Sequence, residues 1–360
     1  MDDVVDWTLA RQIARFAAGS GPDPGLEPQL RRLAEELAPE VAGYTGLVAA
    51  DRVPPAQSVT RAEWAQANLD LLARMLDPLA SRVDQGLAGA GPLAEPIRAA
   101  GRVALAAEVG LVIGYMSQRV LGQYELSLVQ PDAPARLLFV GPNLAKAAED
   151  MKVDRDAFLA WVALHELTHV FQFSGVPWLR AHLGSLVRLY LDTVEVRLAR
   201  GAAAGLPALL DPASLVERFR EGGLAALVQT RQQREIFDRI QATMAVIEGY
   251  SEHVMDALGA RVVPGYDGLR EAMDARRANR SAPELLLQRL LGFQAKLRQY
   301  ELGKRFCDAV VAREGLEALN LVWGAPERMP TREELDDPLA WLVRVRTELL
   351  IPPTALGPGG

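Results

Sequence analysis

His165 and His169 stand four residues apart, with Glu166 directly after the first, inside the run Trp161-Val-Ala-Leu-His-Glu-Leu-Thr-His-Val-Phe-Gln-Phe173. On a helix, residues four apart share a face, with Cβ atoms roughly 5–6 Å apart. Two imidazoles so placed can meet one ion at about 2 Å from each ring nitrogen. A carboxylate beside the first ligand can reach a water on that ion and take its proton. The chemistry these three residues suggest is hydrolysis assisted by Zn²⁺, with Glu166 as general base. Two histidines facing solvent by coincidence is the weaker reading. Phe158, Leu159, Trp161, Val162, Leu164, Leu167, Val170, Phe171 and Phe173 make the run apolar nearly all round, and such a helix is buried. Buried imidazoles and a buried carboxylate are costly unless they are paired or hold a metal.

A catalytic zinc takes three protein ligands and keeps one position open. The extended pattern His-Glu-x-x-His-x-x-Gly-x-x-His is absent, because its last two members would fall on Gln172 and Gly175. The third ligand must come from elsewhere, and Met244-Ala-Val-Ile-Glu-Gly-Tyr-Ser-Glu-His-Val-Met-Asp256 offers it. Glu248 and Glu252 are four apart and share a face. Glu248 is read as the ligand and Glu252 as the acceptor for a ligating histidine's outer N–H; the reverse assignment stays open. His253 and His182 are rival ligands, with Asp192 and Glu195 behind them. Tyr250, His253 or His182 could steady an oxyanion. Gly249 would let two helices approach closely over the metal. Taken alone, Glu248 and Glu252 would read as the solvated face of an amphipathic helix.

The elements that must position these residues are nearly all helical in pattern. Helices are expected from Trp7 to Phe16, over 26–49, from a Thr60-x-x-Glu63 capping box through Leu79, and over 96–121. Gly110 and Gly114 in the last of these suggest close helix packing. Gln123–Val129 alternates polar and apolar residues, and Arg136–Val140 is a short apolar run, so a hairpin or small sheet precedes the metal helix. Either strand could take an extended peptide by edge pairing. The metal helix starts at a cap on Asp154 and stops at residues 174–177. Further helices are expected over 178–200, 212–220 and 223–258, closed by Gly259 and Pro264. Others follow a cap at Ser281 through Leu290, then over 294–313 and 315–323, and after a Thr331-x-x-Glu334 box to Leu350. The fold class is therefore mainly α with a small β hairpin or sheet. One domain over 1–350 is expected, with an N-terminal helical part (1–121), a metal-site part (122–260) and a C-terminal helical part (261–350). Residues 351–360 read as a disordered tail.

Of the 360 residues, 49% are hydrophobic and 24% charged, which is ordinary for a globular chain that buries a core. A net charge of −7 argues against a nucleic-acid partner held by its phosphates. Cys307 is the only cysteine, so an internal disulfide and a cysteine-based zinc site are both excluded. The acidic start, Met-Asp-Asp-Val-Val-Asp, lacks the layout of a signal peptide. The stretch Val103–Met116, interrupted by Glu108, reads as too short to span a bilayer. A soluble, cytoplasmic protein with no membrane partner is expected.

Beyond the metal motif, the chain resembles a family of zincin-like metallopeptidases from actinobacteria and chloroflexi. The family was formerly a domain of unknown function, and one branch is associated with biosynthesis of a deazaflavin coenzyme. The resemblance rests on Val-Asp-Trp7, Asn68 through Leu79 with Asp77-Pro78, Val120-Leu-Gly-Gln-Tyr124 and Leu138-Phe-Val-Gly-Pro-Asn143. It extends to the metal motif with Phe171 to Trp178, to Ile247-Glu-Gly-Tyr250 with Val254-Met-Asp256, and to Lys296-Leu-Arg-Gln-Tyr300. It implies a mostly helical zincin-like fold whose metal site joins the histidine pair to the Glu-Gly segment. It supplies no substrate. A peptide or protein substrate is expected from the hydrolase reading. The competing readings are a non-catalytic zincin that binds a partner protein and a small-molecule amide hydrolase.

Overall fold

The computed structural model describes residues 4–50, 52–76, 94–128, 133–193, 231–278 and 293–350. The expected helices over 212–220 and after Ser281, the tail 351–360, and the ends of several other expected elements lie outside these residues.

The chain opens with α1 (Trp7–Ala18) and α2 (Glu27–Thr45), followed by a short strand, β1 (Ala56–Val59). Next come α3 (Arg61–Leu76), α4 (Ala94–Ser117), β2 (Gly122–Glu125), β3 (Arg136–Val140) and α5 (Gly141–Met151). The metal helix is α6 (Arg155–Gly175), and α7 (Leu179–Thr193) follows. Then come α8 (Arg231–Val262), α9 (Tyr266–Ala278) and α10 (Phe293–Glu314). The C-terminal part holds α11 (Leu316–Leu319), two 3₁₀ turns, α12 (Arg332–Asp336) and α13 (Pro338–Leu350).

The helix starts follow local chemistry. Asp154 accepts from the Ala157 N–H at 2.8 Å. Thr60 with Glu63, and Thr331 with Glu334, close reciprocal boxes in which each side chain satisfies the other's orphan N–H. The ends were less readable. The second helix stops at Thr45 rather than near 49, because Gly46 turns left-handed at φ 68° and its N–H bonds Ala42. Gly259 does not close its helix. α8 runs on to Val262, and the glycine is needed because the Tyr266 ring packs where its Cβ would stand.

The β structure is larger than a hairpin. β3 is the central strand, antiparallel to β2 and parallel to β1, with Gln123 opposite Leu138 and Gln57 opposite Leu138 on the other side. Paired on both sides, β3 offers no edge to a peptide. β1 escaped the sequence because four residues between Pro55 and a helix cap carry no pattern of their own; they become a strand only by pairing with β3, some eighty positions on.

Two apolar cores flank this sheet. Leu137 and Phe139 enter the larger, with α2, α6, α8 and α10; Val140 enters the smaller, with α1, α3 and α4. α6 is buried on nearly every side, from Ala157 to Gln172. In the smaller core α4 crosses α1 at Gly110 and Gly114. A Cβ on Gly110 would lie 2.7 Å from the Ala10 carbonyl, and one on Gly114 would lie 2.5 Å from the Ala17 Cβ. The expectation that this apolar stretch is too short for a bilayer is corrected. Arg98–Ser117 is long and apolar enough to cross one by length and composition, with much of it uncovered among the described residues.

Candidate metal centre

α6 and α8 run side by side in opposite directions, so His165 and His169 on one helix face Glu248 and Ser251 on the other. The two histidine Nε2 atoms lie 3.2 Å apart. Glu248 Oε2 is 3.8 Å from His165 Nε2 and 3.6 Å from His169 Nε2. Ligands about 2.1 Å from a tetrahedral ion stand about 3.4 Å from one another, so these three separations suit one divalent cation. Two nitrogens and a carboxylate oxygen are also the donors zinc prefers. Among the described residues this is the only group of three such side chains that could hold a metal. The side chains are 23%, 11% and 16% exposed, buried enough to hold an ion and open enough to admit water.

The ring nitrogens turned away from this point are held. His165 Nδ1 lies 3.0 Å from Ser251 Oγ. His169 Nδ1 lies 2.9 Å from Gln172 Oε1, while the Gln172 amide donates to the Ile247 carbonyl at 2.9 Å. Glu252, expected in this role, takes Arg270 at 2.7 Å. Gln172 and Ser251 were missed by sequence reasoning. The signal for them was positional: Gln172 is three residues beyond His169 and Ser251 three beyond Glu248, each one helical turn from a ligand.

Glu166 is 6% exposed and sits under β2. Its Oε2 accepts from the Tyr124 N–H at 2.9 Å. That N–H points away from β3, so the outer edge of β2 is engaged by the carboxylate. Gly122 must be glycine here, because a Cβ would stand 2.7 Å from Glu166 Cγ and Oε1. β2 is fastened in place from two sides. Gln123 and Asn68 exchange side-chain amide bonds at 3.2 Å. The Asn143 amide donates to the carbonyls of Ser117 and Val120 at 2.8 and 2.7 Å. Burial pushes the Glu166 carboxyl up to about 7; Glu248 adds to this, while His169 and the Tyr124 N–H oppose it. For His169, burial lowers the pKa, but the Glu248 carboxylate, aided by Glu166 and Gln172, outweighs it and pushes the ring up to about 9. That value belongs to the metal-free site.

The remaining expected site residues are elsewhere. Tyr250 lies two positions after Glu248, about 200° around α8, and points into the core. Its hydroxyl donates to Asn320 Oδ1 at 2.9 Å and its ring meets Trp323 edge-on. It is wholly buried and packed away from the ligands, so it supplies no oxyanion donor. His253 is held at both nitrogens, by the Tyr44 hydroxyl at 2.9 Å and by Asp308 at 2.8 Å; it joins α2, α8 and α10 rather than the metal site. His182 stacks edge-on against Trp178, and burial lowers its pKa. Asp192 is not in the ligand group, and Glu195 lies outside the described residues.

One helix crossing sets the place of Glu248. Next to it, Gly249 meets Gly303 of α10, and a Cβ on either would enter the other helix's backbone. The approach expected at Gly249 is made, with α10 as its partner.

The comparisons with known proteins point to a family and to a similar fold. A family model described as a zincin-like metallopeptidase matches residues 5–342. A crystal structure of a protein from Chloroflexus aurantiacus, described as a candidate hydrolase with a novel fold, is similar with a TM-score of 0.66 and 29% identity. The match covers 95% of this chain and 99% of that one. A search of curated proteins found no match.

Proposed function

The chain belongs to the zincin-like metallopeptidase family, and on that premise we propose that it is a zinc-dependent peptidase. The observation that carries the reading is the convergence of His165 Nε2, His169 Nε2 and Glu248 Oε2 on one point, with Glu166 buried alongside. These three residues would hold the metal. When bound, a divalent ion there supplies Lewis acidity, which acidifies a water and polarises a carbonyl. The chain's own residues do the rest. Glu166 takes a proton from the water and delivers it to the departing amine. The Tyr124 N–H holds one oxygen of that carboxylate, so its orientation is set before substrate arrives. Ser251 and Gln172 hold the outer nitrogens of the two imidazoles, which leaves both Nε2 atoms aimed at the shared point.

The substrate in this reading is a peptide or protein. As part of the same proposal, the protein works in the cytoplasm and has no membrane or nucleic-acid partner. The net charge of −7 supports the absence of a nucleic-acid partner held by its phosphates, and the packing of α4 on α1 through Gly110 and Gly114 supports a helix seated on the protein.

Glu166→Gln is the deciding variant. Zinc content by elemental mass spectrometry is expected to stay at wild-type level, while hydrolysis of a peptide library falls by about 10²–10⁴-fold. Retained hydrolysis would remove Glu166 from its role. Zinc lost from wild type and Glu166→Gln alike would remove the metal.

A further inference from the structure

Gln172 is wholly buried on α6, one turn past His169. Its amide nitrogen donates to the Ile247 carbonyl, and its amide oxygen meets His169 Nδ1, both at 2.9 Å. A side-chain amide has one donating end and one accepting end. The bond to a carbonyl therefore fixes which end is which. Oε1 must accept, so His169 Nδ1 must carry the proton, and Nε2 is left as the nitrogen that can give a lone pair. Ile247 is the residue before Glu248. One amide thus links the ring of one ligand to the backbone that carries another. Ser251, on α8 three residues after Glu248, ties the other imidazole to the same helix through His165 Nδ1, but only Gln172 bonds the backbone of the residue beside Glu248.

We propose that Gln172 is a positioning residue that sets Glu248 against the histidine pair, and so acts on metal binding through Glu248 as well as through His169. This rests on reading His165, His169 and Glu248 as a metal centre.

The test is a double-mutant cycle on zinc affinity, read by competition with a fluorescent chelator on the full chain stripped of metal. The four proteins are wild type, Gln172→Met, Glu248→Gln and the double variant. Methionine fills a similar volume and offers neither end of the amide. In the wild-type background Gln172→Met is expected to weaken zinc about 10–100-fold. In the Glu248→Gln background the same change is expected to cost clearly less, because the ligand it positions is gone. Equal losses in both backgrounds would overturn the proposal, and so would no loss in the first. If circular dichroism shows Gln172→Met unfolded, Gln172→Glu takes its place under the same criterion. That variant keeps an acceptor for His169 and offers no amide N–H to Ile247. Wild type that binds no zinc would overturn the metal centre itself and Gln172's role with it, a result distinct from additive losses in a protein that does bind.

Discussion

Among the described residues two helix crossings are built on glycine, and they differ in what stands beside them. Where α4 crosses α1, the neighbours of Gly110 and Gly114 are Ala10, Ile13, Ala14 and Ala17. Where α8 crosses α10, the glycines are Gly249 and Gly303, and the next residue is Glu248, one of the three that could hold a metal. Polar ties also span the second crossing. His253 bonds Asp308 at 2.8 Å, and Lys304 bonds Asp256 at 2.9 Å. At the first crossing, none of the three candidate ligands stands beside the glycines, and the packing serves the smaller core. At the second, packing and ligand placement are one constraint. The same small residue thus has different consequences according to what its helix carries one position away.

The sharpest way to break this contrast is Gly249→Ala or Gly303→Ala. Each would drive a methyl into backbone that cannot yield, so α8 and α10 must separate. A loss of about 3 kcal/mol or more is expected in chemical denaturation, at the upper end for overpacking. Zinc affinity should fall with it, because Glu248 moves with α8. A variant that loses stability yet binds zinc normally would dissolve the link between crossing and ligand.

Gly110→Ala and Gly114→Ala come next. Overpacking of about 1–3 kcal/mol is offset by about 1 kcal/mol from the better helix propensity of alanine. Zinc affinity should not change. A fall in zinc binding here would mean that the two cores are coupled through the sheet.

The smallest effects come from pH, and their signs are opposite. At Asp308, burial raises the carboxyl pKa, but the His253 ring and the Lys304 ammonium outweigh it and hold the group below its ordinary value. A group depressed in the folded state adds stability above its unfolded pKa, and that stability is lost as pH falls through the folded value. Asp308→Asn should therefore flatten the loss of stability in acid. Glu108, half-buried on α4, is raised by burial alone. The folded state then holds its proton more tightly than the unfolded chain, so stability is fully present below the unfolded pKa and lost as pH rises through the folded one. Glu108→Gln should remove that loss, which sets in as pH rises above the carboxyl's ordinary value. Melting temperatures of the two variants across a pH series would show the slopes changing in opposite directions; slopes changing together would erase the contrast.

What the sequence made legible was periodic or local. His165, Glu166 and His169 could be read because one helical turn fixes their relation, and Glu248 because a histidine pair that needs a third ligand gives an acidic pair on a later helix a role. The capping boxes at Thr60 and Thr331 could be read because each is complete within four residues. Angular position on a helix was available but went unused at Tyr250, which is too far around α8 from Glu248 to share its site. What depended on contacts distant in the chain could not be read: β1 from its pairing with β3, the Gly303 side of the crossing, and the partners of His253. The Arg270 partner of Glu252 was hidden for the same reason, since it lies eighteen residues on and nothing in the spacing announces it.

The bond from Tyr124 to Glu166 also bears on solubility. An outer strand presents backbone donors and acceptors that another chain can pair with, and folded proteins blunt such edges. Here a buried carboxylate from the metal helix occupies the outward N–H of β2. Glu166→Gln retains an acceptor for that N–H and should stay monodisperse in concentrated solution. Glu166→Ala strips the strand of its guard and should self-associate. The two ways of silencing the same residue would then differ in colloidal behaviour, and only the glutamine variant would report on chemistry alone.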